Sequence, residues 1–161
     1  MIEIRPAIAS DWHALWPILE PVIRAGEVYA LPTGMTSGQA MQYWFAEGNW
    51  VFVAEEDHAI VGSYYLRANQ QGGGAHVCNC GYVTATQSQG RGIAGAMCRH
   101  SLQFAKSAGF RAMQFNFVVS TNKSAIHLWQ KHGFEIVGRL PRAFQHPRLG
   151  YVDALVMWKD L

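Results

Sequence analysis

Gln89-Gly90-Arg91-Gly92-Ile93-Ala94-Gly95 stands between an apolar run and an amphipathic one, and its reading decides the fold. Glycines at this spacing let the backbone approach a ligand closely, and a helix starting there offers unpaired N–H groups and a positive dipole end. Phosphate is the natural guest; the alternative is a glycine-rich helix start that binds nothing. Gly90 to Gly95 also satisfies GxGxxG, the dinucleotide fingerprint. That reading needs an acid roughly 20 positions further on to hold a ribose, yet the first acid after the turn is Glu135. The turn also follows strands that read as antiparallel. No Gly-Lys-Ser/Thr completes a Walker loop.

Downstream of the turn, a helix is expected from about Gly92 past Met97 and Leu102 to Ala108, with Lys106 in its last turn and Gly109 just beyond. Met113 to Val119 reads as a strand, Asn122 as the cap of a short helix through Ile126 and Trp129 stopped by Gly133, and Glu135–Leu140 and Tyr151–Trp158 as strands joined by a Pro-containing loop. Upstream, residues 2 to 8 alternate as a first strand. Ser10 and Asp11 offer caps for a helix through Ile23, ending near Gly26, in which Pro17 and Pro21 predict a kink or break. Thr36 or Ser37 caps a second helix through Trp44 and Phe45. Trp50–Ala54 and Ala59–Leu66, split by Glu55-Glu56-Asp57-His58, form a hairpin, and Gly72-Gly73-Gly74 turns the chain into the run His76–Thr84. Hairpins first and a β-α-β-α unit later predict an α/β fold: a mixed, mostly antiparallel central sheet of about seven strands, with about four helices on its faces.

No linker or repeat divides residues 1–161, so a single domain is expected. Half of the residues are hydrophobic, enough for a sizeable core, but no stretch approaches the roughly 18 apolar residues of a bilayer span. No secretory signal is visible at Met1–Arg5, and Cys78, Cys80 and Cys98 are too few and odd in number for a disulfide framework, so a cytoplasmic location is expected. The net charge of +2 hides segregation: His58 to Phe134 holds no Asp or Glu and carries +7, against −5 in the flanks. An acid-free centre suits a polyanionic small ligand. Net acidic flanks and the lack of a base-stacking motif argue against nucleic acid. Cys78-x-Cys80 lacks a partner pair, so no metal site is expected.

Gln89-Gly90-Arg91-Gly92-Ile93-Ala94 resembles the Gln/Arg-x-x-Gly-x-Gly/Ala signature of the GCN5-related N-acetyltransferases (GNATs). Asn122-Lys123-Ser124-Ala125-Ile126-His127-Leu128-Trp129, followed by Gly133-Phe134, is similar to that family's Asn-x-x-Ala-x-x-x-Tyr…Gly-Phe segment. The likeness covers essentially the whole chain. Cys78-Asn79-Cys80-Gly81-Tyr82-Val83 and Gln114-Phe115-Asn116-Phe117-Val118-Val119-Ser120-Thr121-Asn122 further resemble the subgroup, known from yeast, that acetylates azetidine-2-carboxylate and related proline analogues.

The resemblance implies acetyl-CoA as co-substrate and a strand before the glycine turn that bulges and splays from its neighbour. Its backbone at Tyr82, Val83 and Thr84 would pair with the pantetheine arm and the thioester carbonyl. Gly90, Arg91, Gly92, Ile93, Ala94 and Gly95 would surround the pyrophosphate, and Asn122 would bond the pantetheine side while also capping its helix. The chemistry is attack of a neutral amine on a thioester through a tetrahedral oxyanion, which calls for a proton acceptor, an oxyanion donor such as an N–H near Val83, and a proton for the departing thiolate. The chain departs from the pattern here. Trp129 stands where the family's usual general-acid tyrosine stands, and an indole cannot protonate a thiolate; a carboxylate base on the central strands is also missing. Asn79 and Asn116 are the expected holders of the acceptor, with buried amides tying down backbone as the plainer alternative. His76 and His127 are nearest by sequence but read better as surface or packing residues, and Tyr151 is a substitute acid only by elimination. Residues 26 to 36 are expected to set specificity.

The function expected is N-acetylation of a small-molecule amine, an amino acid or cyclic imino acid being suited to the aromatic content. The alternatives are a protein or peptide N-acetyltransferase and a non-catalytic acyl-CoA-binding sensor. The late strands and exposed aromatics would permit a homodimer.

Overall fold

The computed structural model describes residues 1–161. In chain order it contains β1 (Glu3–Pro6), α1 (Trp12–Ala25), α2 (Ser37–Trp44), β2 (Trp50–Glu56), β3 (Ala59–Ala68), β4 (Val77–Thr84), α3 (Ile93–Ser107), β5 (Ala112–Val119), α4 (Lys123–Lys131), β6 (Glu135–His146) and β7 (Gly150–Asp160), linked in places by short 3-10 turns. The strands form one sheet in the order β1-β2-β3-β4-β5-β7-β6. Every neighbouring pair is antiparallel except β4 and β5, which run parallel.

Alternation along the strands divides the core between the two faces of the sheet. Leu15 and Leu19 of α1 and Trp44 of α2 pack with Val53, Tyr65 and Val83 on one face. Met97 and Cys98 of α3 and Ile126 and Trp129 of α4 pack with Phe52, Tyr64, Cys80 and Phe115 on the other. Each fully buried side chain of this size contributes roughly 1.5–3 kcal/mol through the hydrophobic effect. Beneath α2 the polar atoms are paired: the Trp44 indole donates to Ser63 Oγ at 3.0 Å, and Ser63 donates to the Phe52 carbonyl at 2.7 Å.

The parallel seam is short. Only Val77↔Ala112 and Cys78↔Met113 are in register, after which β4 and β5 part. The Asn79 side-chain amide spans the point of parting and donates to the Gln114 carbonyl at 2.9 Å. The family resemblance implies a bulge in β4, but β4 keeps an unbroken register with β3 from Cys78 to Thr84. The irregularity lies across the gap in β5, where its register with β7 shifts between Phe115 and Val118.

Three local expectations are corrected. α1 runs unbroken through Pro17 and Pro21. Both prolines lie on the exposed face with His13, so water satisfies the carbonyls that lose a helical partner, while the opposite face is held by the core. Asp11 does not cap α1 with its side chain; it accepts from the Ile8 N–H at 2.8 Å and pairs with Arg5, which also reaches Glu55. β6 continues past Leu140 and Pro141 to His146 and leaves a short connection to β7. Asp153 makes that extension possible: it accepts from the Arg142 backbone N–H at 2.9 Å and from Arg139 at 2.8 Å, holding a bulge in which Arg142 takes a φ of 50°.

Candidate active site

The glycine turn and the start of α3 form the rim of the gap on the side of the sheet that α3 and α4 cover. Gly90 and Gly92 take φ values of +77° and +82°, and a Cβ at either would meet nothing within 4 Å. The turn is therefore both a left-handed conformation that suits glycine and an open cradle. The first helical bond of α3 is from Ala96 N–H to the Gly92 carbonyl, so the amides of Ile93, Ala94 and Gly95 have no partner within the helix. Such a turn fits a pyrophosphate. The side chains have separate duties: Ile93 is buried in the core, and Gly95 faces the ends of Arg99, Leu128 and His132. Gly62 of β3 was not singled out from sequence. A Cβ there would come within 2.9 Å of the Val83 carbonyl and 3.2 Å of Ile93, so its absence lets α3 seat against the sheet.

Arg91 is not free to meet an anion: it pairs with Glu56 at 2.5 Å. Thus the acid-free centre of the sequence receives a carboxylate from the β2–β3 hairpin at the turn itself. Asn122 occupies the cap position of α4, but its side chain makes no capping bond; its Oδ1 accepts only a long 3.4 Å bond from Ser124.

The direction of the β4 backbone follows from its ladder. Ala85 N–H bonds the Val61 carbonyl and Asn69 N–H bonds the Val77 carbonyl, both at 2.8 Å. With an unbroken register and the alternation of an antiparallel ladder, Val83 and Gly81 direct their polar groups to β3, whereas Cys80, Tyr82 and Thr84 direct theirs into the gap. The amide near Val83 that faces the gap is therefore its neighbour's. Tyr29, in the loop after α1, donates its hydroxyl to the Tyr82 carbonyl and draws that loop across the opening.

Behind this latch lies a cleft of about 250 Å³, lined by Val28–Leu31, Tyr43 and Tyr65, the β4 segment Asn79–Tyr82, the β5 segment Phe115–Val118, and Trp129. A Cβ at Gly81 would stand 2.4 Å from the Tyr65 ring, so Gly81 allows that ring to cross β4 and form a wall. The Tyr43 and Tyr65 hydroxyls lie 3.1 Å apart. Asn79 and Asn116 flank the cleft from β4 and β5. The Asn116 amide donates to Asn69 Oδ1 at 2.6 Å and its Oδ1 accepts from Gln114 at 3.0 Å. Trp129 is buried, its ring 4.9 Å from that of Tyr82 and 4.8 Å from that of Phe115.

No carboxylate or histidine lines the cleft; its ionisable groups are tyrosines and Cys80. Burial pushes the Tyr29, Tyr65 and Tyr82 hydroxyls and the Cys80 thiol well above their usual ranges. His76 and His127 are exposed outside the cleft, and Tyr151 is 66% exposed on β7, also outside it. Tyr29, Tyr43 and Tyr65 were missed as site residues from sequence because only the packing of three separate segments brings them to one cleft; the placement of residues 26 to 36 beside it was expected. No cluster of metal-ligating side chains is present, and no helix is long and apolar enough to cross a membrane.

A protein with this arrangement has relatives. A GCN5-related N-acetyltransferase from Kribbella flavida is similar over 99% of this chain and 98% of its own, at 38% identity and a TM-score of 0.94. The N-acetyltransferase aca1 of Schizosaccharomyces pombe is 26% identical over 151 residues, which is 83% of this chain and 72% of that protein. A phosphinothricin acetyltransferase from Sinorhizobium meliloti, solved in complex with acetyl-CoA, shares the fold with a TM-score of 0.86 at 20% identity, over 99% of this chain and 88% of its own. The family model described as Acetyltransferase (GNAT) family matches residues 12–134, and the chain belongs to that family of acyltransferases.

Proposed function

We propose that this acetyl-CoA-dependent N-acetyltransferase acts on the amine of a small molecule, an amino acid or cyclic imino acid. The small cleft carries the reading. Its volume of about 250 Å³ is below the roughly 300–1,000 Å³ of drug-sized sites, and residues 28–31 line it with Tyr29 bonded to the Tyr82 carbonyl. A small amine fits there; a lysine or N-terminus on a protein surface would have to bring its neighbours past that loop.

Acetyl-CoA supplies the activated acyl group. The amides of Gly90 to Gly95 hold its pyrophosphate, aided by Arg91 once that side chain leaves Glu56. The gap-facing backbone of Tyr82 and Thr84, with Val83 between them, flanks the pantetheine arm, and the uncommitted side chain of Asn122 bonds it from the α4 side. An N–H of Tyr82 or Thr84 meets the charge that develops on the thioester oxygen. Asn79 and Asn116 orient the acceptor, since an amide positions but does not take a proton at neutral pH. With no base in the cleft, the amine reaches it neutral and its proton leaves through water.

Thiol release from acetyl-CoA across amino acids, imino acids, polyamines and peptides tests the reading. The expected result is amine-dependent release with small amines and little with peptides, and an Asn116→Ala variant that loses turnover while keeping its affinity for acetyl-CoA. Release with peptides alone would overturn it. Trp129 in place of the tyrosine favours one other reading, an acyl-CoA sensor, which slow hydrolysis with no amine-dependent release would select.

A further inference from the structure

A second depression adjoins the cleft, and its chemistry differs from that of the aromatic cleft. It measures about 590 Å³ and is lined by Glu47, Gly48, Arg67, Ala68, Asn69, Gln70 and Gln71. Two links join it to the cleft. Asn69 on its wall is hydrogen-bonded to Asn116 of the cleft at 2.6 Å, and Arg67 is the cross-strand partner of Asn79. Directly opposed residues of an antiparallel pair point to the same face, with Cβ atoms about 5 Å apart. Tyr65 packs toward α2, so Arg67, two residues on, rises from the face that carries α2, where Asn79 also lies. The Arg67 side chain makes no ion pair or hydrogen bond with the protein, and neither does that of Glu47. Other arginines near the cleft are committed: Arg24 binds the Thr33 and Met35 carbonyls, Arg91 binds Glu56, and Arg148 binds Glu27, while Arg99 stands on α3 beside the glycine turn, on the opposite face of the sheet.

An unpaired guanidinium on the strand position opposite Asn79 offers a forked set of donors to a planar anion. Asn79 and Tyr82 are three residues apart on β4, or about 10 Å, a span that the Arg67 side chain and a small zwitterion bridge together. We infer that Arg67 is the anchor for a carboxylate on the acceptor, making this enzyme selective for amines that carry a carboxylate over their uncharged counterparts. The inference rests on the small-amine reading above and adds the residue that enforces it. Glu47, which lines the same depression, opposes the bound carboxylate and sets a limit on affinity.

The test compares an amino or imino acid with its primary amide and its decarboxylated amine in the thiol-release assay, using the full chain. With kcat/KM expressed per neutral amine, on the plateau above the pKa of each, the acid should exceed both by about 10- to 100-fold, the value of one charge-assisted pair. Arg67→Gln should lower kcat/KM for the acid by a similar factor, chiefly through KM, while leaving the amide and the affinity for acetyl-CoA unchanged; Arg67→Lys should recover part of the loss. Glu47→Gln should improve KM for the acid by about two- to threefold, as befits an exposed charge. Equal use of acid and amide, or an equal loss for both in Arg67→Gln, would overturn the anchor and leave the small-amine reading standing. Release with peptides and with no small amine would overturn both.

Discussion

The two sides of the gap between β4 and β5 are built from different material. On the side of the glycine turn the groups left unpaired are backbone amides, presented by Gly90 and Gly92 in left-handed conformations and by the first turn of α3. On the side of the cleft, where we propose that the acceptor binds, they are side chains contributed by the loop after α1, by α2, by three strands and by α4. Backbone recognition needs only a local conformation, so a few glycines specify it. Side-chain recognition needs distant segments to converge, and it is the side on which this chain departs from its family's pattern, with Trp129 and a cleft without carboxylates.

The contrast breaks most visibly at Gly92. Gly92→Val forces a β-branched residue into a φ of +82°, at a cost of about 1–3 kcal/mol in stability, and it disrupts the amide cradle. Calorimetric titration should show acetyl-CoA binding weakened by about 100-fold or more. The opposite side is tested by Gly81→Ala, whose methyl group runs into the Tyr65 ring. Overpacking of this kind costs about 1–3 kcal/mol, and here it should fall on kcat/KM for the amine, about 10- to 100-fold, with the Kd for acetyl-CoA nearly unchanged. If Gly81→Ala weakens acetyl-CoA as much as the amine, the two sides are not separable.

A control outside both sides comes from the clamp that Arg5 makes with Asp11 and Glu55. The Arg5 guanidinium, through its hydrogen bonds, holds both carboxyls below the usual carboxylate range. Lowered carboxylates stabilise the fold above their unfolded pKa of about 4 and lose that contribution as pH falls through the lower folded value. Tm should therefore drop toward acid, and Asp11→Asn should flatten that drop and cost roughly 1.5 kcal/mol at neutral pH, with Kd and KM unaffected. The smallest effect is at Glu56. Glu56→Gln releases Arg91 and should tighten acetyl-CoA binding by about two- to threefold at low salt, a gain that disappears at high ionic strength.

The same contrast explains what the sequence made legible. The order of strands and helices, the caps at Thr36 and Gly109 and the position of the turn follow from periodicity and from residues that act on their immediate neighbours. Asn79 and Asn116 were expected to hold the acceptor from their place on the two strands flanking the splay and from likeness to a family, and both line the cleft. Arg67 carried no local signal, because its meaning lies in being opposite Asn79 across a strand pair and in lacking a partner. Glu56 was hidden for the related reason that a charge count along the chain says nothing of which hairpin folds onto which turn. Pro17 and Pro21 misled because a proline rule written for an isolated helix takes no account of a face turned to water while the other is held by Leu15, Ile18 and Leu19.

Catalysis by placement of an already neutral amine is the centre of the account, and the pH dependence of kcat/KM measured with a series of amines of differing pKa tests it most directly. The midpoint of the rise with pH should move with the pKa of the amine, since the ionisable groups of the cleft are tyrosines and a buried cysteine, with neither a carboxylate nor a histidine among its lining residues. A midpoint that stays at one pH between about 6 and 8 for every amine, the range of a histidine or a raised carboxylate, would show a protein base at work and would contradict it.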